Sequence, residues 1–182
     1  NVCATQTTGG YNDWRLPTDF ELMTIADYGT YGPAINTTSF PGTSSAFYWS
    51  STGYAGGSTW AWTMEFYDGP VMTAPKASST NLVRCVRGEQ LPPVLTDNKD
   101  GTITDEITGL MWQQQDDGNI KDWANALTYC EALTLAGYPD WRVPNIKELR
   151  SIVDSTKYGP SINTAYFTST KTSNYWSSTT MA

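Results

Sequence analysis

The chain has 182 residues, 39% of them hydrophobic, with 8 Trp, 11 Tyr and 5 Phe, a composition that suits a packed protein of one or two domains and excludes a disordered one. Its net charge of −7 and pI near 4.4, with the few Lys and Arg scattered, argue against nucleic acid as a partner, because binding a phosphate backbone needs clustered cations. The same sign disfavours anionic membranes, and with no apolar run long enough to span a bilayer no membrane insertion is expected.

Residues 1–8 read as the frayed end of a helix that carries Cys3. A Gly-Tyr turn leads into Tyr11-Asn12-Asp13-Trp14-Arg15-Leu16-Pro17, and this stretch returns later as Tyr138-Pro139-Asp140-Trp141-Arg142-Val143-Pro144. The same offset aligns, without a gap, Tyr31-Gly32-Pro33 with Tyr158-Gly159-Pro160, Phe40 with Phe167, and Tyr48-Trp49-Ser50-Ser51-Thr52 with Tyr175-Trp176-Ser177-Ser178-Thr179. More than half of the positions between Gly9–Thr52 and Ala136–Thr179 are identical, so the chain holds a tandem duplication. Pro17 keeps the residue before it extended, and Thr18 can cap a helix with Glu21 at its third position and Leu22 and Ile25 on the apolar stripe. Trp14 and Arg15 read as a half-buried indole and an arginine paired with a nearby carboxylate or carbonyl, with ligand binding as the alternative.

From Gly29 to Gly57 the text is loop-like, rich in Gly, Ser, Thr and Pro, and interrupted by Tyr48–Thr52. Tyr48 and Trp49, flanked by hydroxyls, either stack on a sugar ring or anchor the loop to the core, and Tyr175 and Trp176 carry the same two readings. Asn36-Thr37-Thr38 is a formal glycosylation sequon that the second copy lacks. Trp60, Trp62, Met64 and Phe66 then alternate with Thr59, Ala61, Thr63 and Glu65, which predicts a strand with one apolar face and one polar or small face. Tyr67-Asp68-Gly69-Pro70 predicts a hairpin turn into Val71–Ala74, and Leu82–Arg87 a last strand ending at Gly88. Gln90-Leu91-Pro92-Pro93 reads as a short stiff linker.

The second copy opens with a polar turn, Asp97–Gly101, and two short strands within Thr102–Trp112, joined around Asp105–Gly109. Asp122 can cap a helix in which Trp123, Leu127 and Cys130 recur on one face, and Asn145 with Glu148 repeats the cap of the first copy. Asp97, Asp100 and Asp105 supply hard oxygen ligands of the kind calcium prefers, although Lys99 and the missing terminal Glu depart from an EF-hand loop. The alternative is a turn that satisfies its own backbone. Calcium is the one cofactor to consider.

The duplication also orders the cysteines. Cys3 and Cys85 fall in one copy, and Cys130 is the counterpart of Cys3. A Cys3–Cys85 bridge would stabilise by roughly 4 kcal/mol through the long loop it closes and would point to an extracellular, cell-surface or periplasmic setting. Two buried free thiols are the alternative. Cys130 is then unpaired, or paired between molecules. The expected layout is a first copy over 1–88 lacking its N-terminal strand and most of its first helix, a linker over 89–95, and a second copy over 96–182 lacking its C-terminal strands. The chain is then a window on a longer repetitive protein, or one whose domains another molecule completes.

Catalysis is not expected. The chain has no His, so His-dependent triads and imidazole acid–base chemistry are excluded, and neither a phosphate-cradling nor a dinucleotide glycine motif occurs.

Taken together, Asp-Gly-Thr-Ile-Thr-Asp, Thr-Gly-Leu-Met-Trp-Gln, Trp-Ala-Asn-Ala-Leu with Tyr-Cys, Asp-Trp-Arg-(Leu/Val)-Pro, Tyr-Trp-Ser-Ser-Thr and Val-Arg-Cys-Val-Arg-Gly resemble the C-terminal domain family of collagen-like adhesins, over nearly the whole chain as two incomplete copies. The resemblance implies a C-type lectin-like α+β fold, tandemly repeated, with two short helices flanking small antiparallel sheets and a long loop region for binding. It makes Thr102–Trp112 the first strand, Leu82–Arg87 the last, and Cys3–Cys85 the bridge from helix to last strand. The calcium-dependent sugar motifs of that superfamily do not occur here, and the acidity counts against sulfated glycans, which some family members bind. The expected protein is a non-catalytic adhesion or ligand-binding module, extracellular or on the cell surface, whose partner is a glycan or a protein. The rival is a structural subunit of an extracellular fibre or array, whose partners are other copies of itself.

Overall fold

The computed structural model describes residues 2–180 and divides them into two units, one built on the residues up to Gln90 and the other spanning Leu91–Thr179. Each unit is a small α+β assembly with its own three-stranded antiparallel sheet.

Unit 1 starts from a cap. Thr18 is extended, its hydroxyl accepts from the Glu21 N–H at 3.1 Å, and the Glu21 carboxylate accepts from the Thr18 N–H at 2.8 Å. Arg15 grips the same carboxylate with two guanidinium bonds of 2.7 and 2.5 Å, so the residues before Pro17 are locked onto the first turn of helix α1 (Asp19–Thr24). That helix turns Leu22 and Met23 inward, and Leu22, Ala26, Ile35, Tyr48, Met64 and Phe66 form the core. The sheet over this core runs β1 (Phe47–Gly53), β2 (Trp60–Glu65), β3 (Val71–Pro75) in that order. Cys3, in a 3-10 turn over Val2–Thr5, bonds Cys85 across a sequence separation of 82.

Three local expectations change here. The loop-like text around Tyr48 is strand β1, because β2 supplies the pairing that its Ser- and Thr-rich sequence does not advertise. Leu82–Arg87 is not a continuous strand but two bridges, Leu82 parallel to Tyr48 and Val86 antiparallel to Arg15. The alternation of β2 holds at Met64 and Phe66, both buried, and fails at its start, where Trp60 is exposed and Ala61 buried.

In unit 2, β4 (Leu95–Asp97), β5 (Thr102–Asp105) and β6 (Leu110–Gln113) form a meander in that order, with β4 extending the two strands expected from sequence. Ile103, fully buried, packs with Ile162 and Phe167. Helix α2 (Trp123–Ala132) starts where Asp122 accepts from the Asn125 N–H, and α3 (Ile146–Ser151) repeats the capping box through Asn145 and Glu148, with Arg142 on Glu148 through two bonds of 2.7 Å.

The duplicated frame is held by duplicated bonds. Trp14 donates to the Thr8 carbonyl and Trp141 to that of Leu135; the Ser51 N–H donates to Pro17 at 2.7 Å and the Ser178 N–H to Pro144 at 2.8 Å; the N–H that opens each helix donates to Thr52 or Thr179. Replacing Glu21 with Ala should cost about 1–2 kcal/mol, read as a lower urea midpoint, since it removes a cap and leaves Arg15 without its carboxylate. Burial pushes the Glu21 carboxyl up, but hydrogen bonds from Arg15 and Thr18 and the Arg15 charge outweigh it and hold the group below the usual range. This contribution is therefore present above the unfolded glutamate pKa of about 4.3 and is lost as pH falls through the lower folded value, a sensitivity the Glu21→Ala variant should lack.

Candidate functional site

The surface that stands out belongs to unit 2. Tyr175 and Trp176 are 43% and 53% exposed, and Trp123, at the start of α2, is exposed beside them in the hydrogen-bond pattern. Side chains lace this segment to the loop before α2. Tyr175 donates to Asp116 at 2.7 Å, Trp176 donates through its indole to the Lys121 carbonyl at 2.8 Å, Trp123 donates to the Ser177 carbonyl at 2.8 Å, and Lys171 donates to the Gly118 carbonyl. The Tyr175 hydroxyl end is tucked in, also accepting from the Lys171 N–H, while the ring stays open. Burial, then the bond to Asp116, pushes its phenol up to about 12, so it remains a donor at neutral pH.

Tyr48 and Trp49 have a different fate. Tyr48 is 5% exposed, stands edge-on to Phe66 at 5.0 Å between centroids, and accepts from the Ser44 N–H, the same local bond that Tyr175 takes from Lys171. Arg84 stacks over both Phe40 and Tyr48, at 5.0 and 5.7 Å, and reaches Thr43 at 2.6 Å. Trp49 is half-buried and its N–H donates to Leu82. Both residues therefore anchor unit 1, and of the four aromatic candidates only Tyr175 and Trp176 present open faces.

The aspartates do not converge. Asp97 accepts from the Lys99 N–H and pairs with its ammonium at 2.7 Å, Asp100 accepts from the N–H and hydroxyl of Thr102, and Asp105, buried, accepts from the Ile107 N–H and the Thr108 hydroxyl. Each closes its own tight turn. Among the described residues no three His, Cys, Asp or Glu side chains gather to hold a metal ion.

Cys130 is a half-buried free thiol near the end of α2. Burial pushes its pKa up, against the opposing Lys121 charge, while Asp117 and Glu131 add to the rise. Sequence alone missed Trp123, Asp116 and Lys171 as members of the exposed surface. Trp123 was legible only as a helix-face residue, and a partnership across more than fifty residues leaves no local signal.

A scan against family models matches the Lcl C-terminal domain over residues 1–87 and again over 101–182. The chain belongs to the Lcl C-terminal domain family. The two matches to the Lcl C-terminal domain fall on the two halves of the duplication, which fits a repeated domain. No curated protein and no solved structure matches the chain significantly.

Because the thiolate is the reacting form, Cys130 should be alkylated by iodoacetamide at pH 8 severalfold more slowly than a thiol in an unstructured peptide. The rate should keep rising beyond the pH where the peptide levels off. Mass spectrometry of the trapped adduct reads this directly, and a rate equal to that of the peptide would contradict the burial described.

Proposed function

We propose that the chain is a non-catalytic adhesion or ligand-binding module of a tandem-repeat protein working outside the cell or on its surface, built on a C-type lectin-like scaffold. One observation carries this reading: Tyr175, Trp176 and Trp123 are exposed rings whose polar ends are fixed by hydrogen bonds to Asp116 and to the Lys121 and Ser177 carbonyls. The Cys3–Cys85 disulfide supports an oxidising setting, and among the described residues no helix is long and apolar enough to cross a membrane. Exposed ring faces with hydroxyls beside them suit a neutral glycan or a protein ligand, and the net charge of −7 counts against sulfated glycans.

A second reading, a structural subunit of an extracellular fibre or array, is favoured by the tandem repetition of the domain over residues 1–87 and 101–182. An array of neutral glycans and surface proteins distinguishes the two. Trp176→Ala should weaken a captured ligand at least tenfold, about 1.4 kcal/mol, whereas Trp49→Ala should leave it bound. No captured ligand, together with long assemblies in images of the undenatured protein, would replace the first reading with the second.

A further inference from the structure

Where β1 begins, unit 1 builds a cleft. Phe47 lies opposite Glu65 in the β1–β2 register, and the Phe66 N–H donates to the Ala46 carbonyl at 3.0 Å. From the other side the Leu82 N–H donates to the Phe47 carbonyl at 2.9 Å. The chain is therefore held on both sides at this point, and Ser45, Phe47, Glu65, Thr80, Asn81 and Leu82 line an open cleft of about 490 Å³. That volume is ordinary for a small-molecule site, for which roughly 300–1,000 Å³ is usual. In unit 2, with β4–β6 and α2 in place, the counterparts Thr172, Ser173 and Asn174 are exposed, so that half of the repeat leaves this position uncovered.

The groups in the cleft have unused bonding capacity of two kinds. Glu65 is half-buried, and burial, then the charge of Asp68, pushes its carboxyl up. Among the described residues neither Glu65 nor Asp68 pairs with a Lys or Arg, and one Asp68 oxygen is buried without a donor. Two like charges with no cation between them draw a positive group to that wall. Asn81 supplies the second kind. Its side-chain nitrogen is buried and, among the described residues, has no acceptor, an exception among buried polar groups. A turn about the last, soft torsion of the carboxamide brings this donor to the cleft. Ser45 and Thr80 add exposed hydroxyls, and Phe47 a half-buried ring.

We propose that this cleft binds an amino-sugar residue with a free, protonated amine, its ammonium on Glu65, an oxygen of the ring or a hydroxyl on Asn81, and the apolar face of the ring against Phe47. Ser45 and Thr80 then hydrogen-bond the remaining hydroxyls. The site is separate from the exposed rings of unit 2 and stands without them. A lysine side chain would answer Glu65, but its bare stem brings no oxygen to Asn81 and nothing to the two hydroxyls. An N-acetylated sugar brings the oxygens without the charge, and a sulfated one brings the wrong charge to a wall of two carboxylates. Bonds to charged groups are the strong ones, so the ammonium sets the selectivity and the neutral contacts set the orientation.

The test uses the whole 182-residue chain near neutral pH with a glucosamine trimer, its fully N-acetylated form and a lysine tripeptide with blocked ends. The glucosamine trimer should bind roughly tenfold more tightly than either of the others. In NMR spectra of the unaltered chain its addition should shift the amide signals of residues 45–47, 65 and 80–82, a reading that does not depend on any variant folding. Glu65→Gln should remove the preference over the acetylated trimer, whereas Glu106→Gln, the same loss of charge at an exposed turn of unit 2, should keep it. Asn81→Leu should weaken the glucosamine trimer severalfold and leave the lysine tripeptide unaffected. Equal affinity for the two trimers, an equal effect of Glu65→Gln and Glu106→Gln, or shifts confined to other residues would overturn the proposal. Binding of the lysine tripeptide as tightly as the sugar would overturn it in favour of a protein ligand. Trp176→Ala should leave the trimer bound, and loss of binding there would move the site to the exposed rings of unit 2 and overturn this cleft.

Discussion

Everything in both units hangs from one charge-assisted clamp. An arginine two residues before a proline reaches over it to chelate the third residue of the next helix, and that same carboxylate already closes the helix cap. The clamp sets the angle at which the chain enters the helix, and hence where the helix's apolar residues meet the segment that returns through Ser51 or Ser178 to the carbonyl of the proline. Arg15 and Arg142 differ only in what lies beyond. Arg15 spends its remaining donors on the Gly88 carbonyl, so a local device also fastens the far end of unit 1.

The comparison between units separates what a sequence motif determines from what its partner determines. Ser178, Thr179 and the Tyr175 hydroxyl make the bonds of their counterparts although, among the described residues, no strand lies alongside them. Extended position is therefore encoded near the motif, while strand identity and the burial of Tyr48 come from β2 and Arg84.

The same division explains what could be read from the amino acids alone. Both capping boxes, the helix capped by Asp122, the hairpin at Tyr67–Pro70 and the β5–β6 turn were legible because each depends on residues a few positions apart. Strand β1 and the bridges at Leu82 and Val86 were not, because their partners lie far along the chain and their own text is polar or mixed. At the candidate site, Tyr175 and Trp176 were legible as a pair of aromatics, but of the identical letters in unit 1 Tyr48 is in the core and Trp49 is half-buried, and no local property separates the two cases. Asp97, Asp100 and Asp105 suggested a cation because acidic turns do. Each instead accepts from an N–H two residues on, a pattern that Asp in a tight turn satisfies without help.

The Cys3–Cys85 bond has a mechanical consequence for unit 1. Tension drawn along the chain enters unit 1 at Cys3 and leaves at Cys85 through a covalent link, so the segment between them, with α1 and the whole of its sheet, is bypassed. Unit 1 is thus a link whose span between the two cysteines does not lengthen under load.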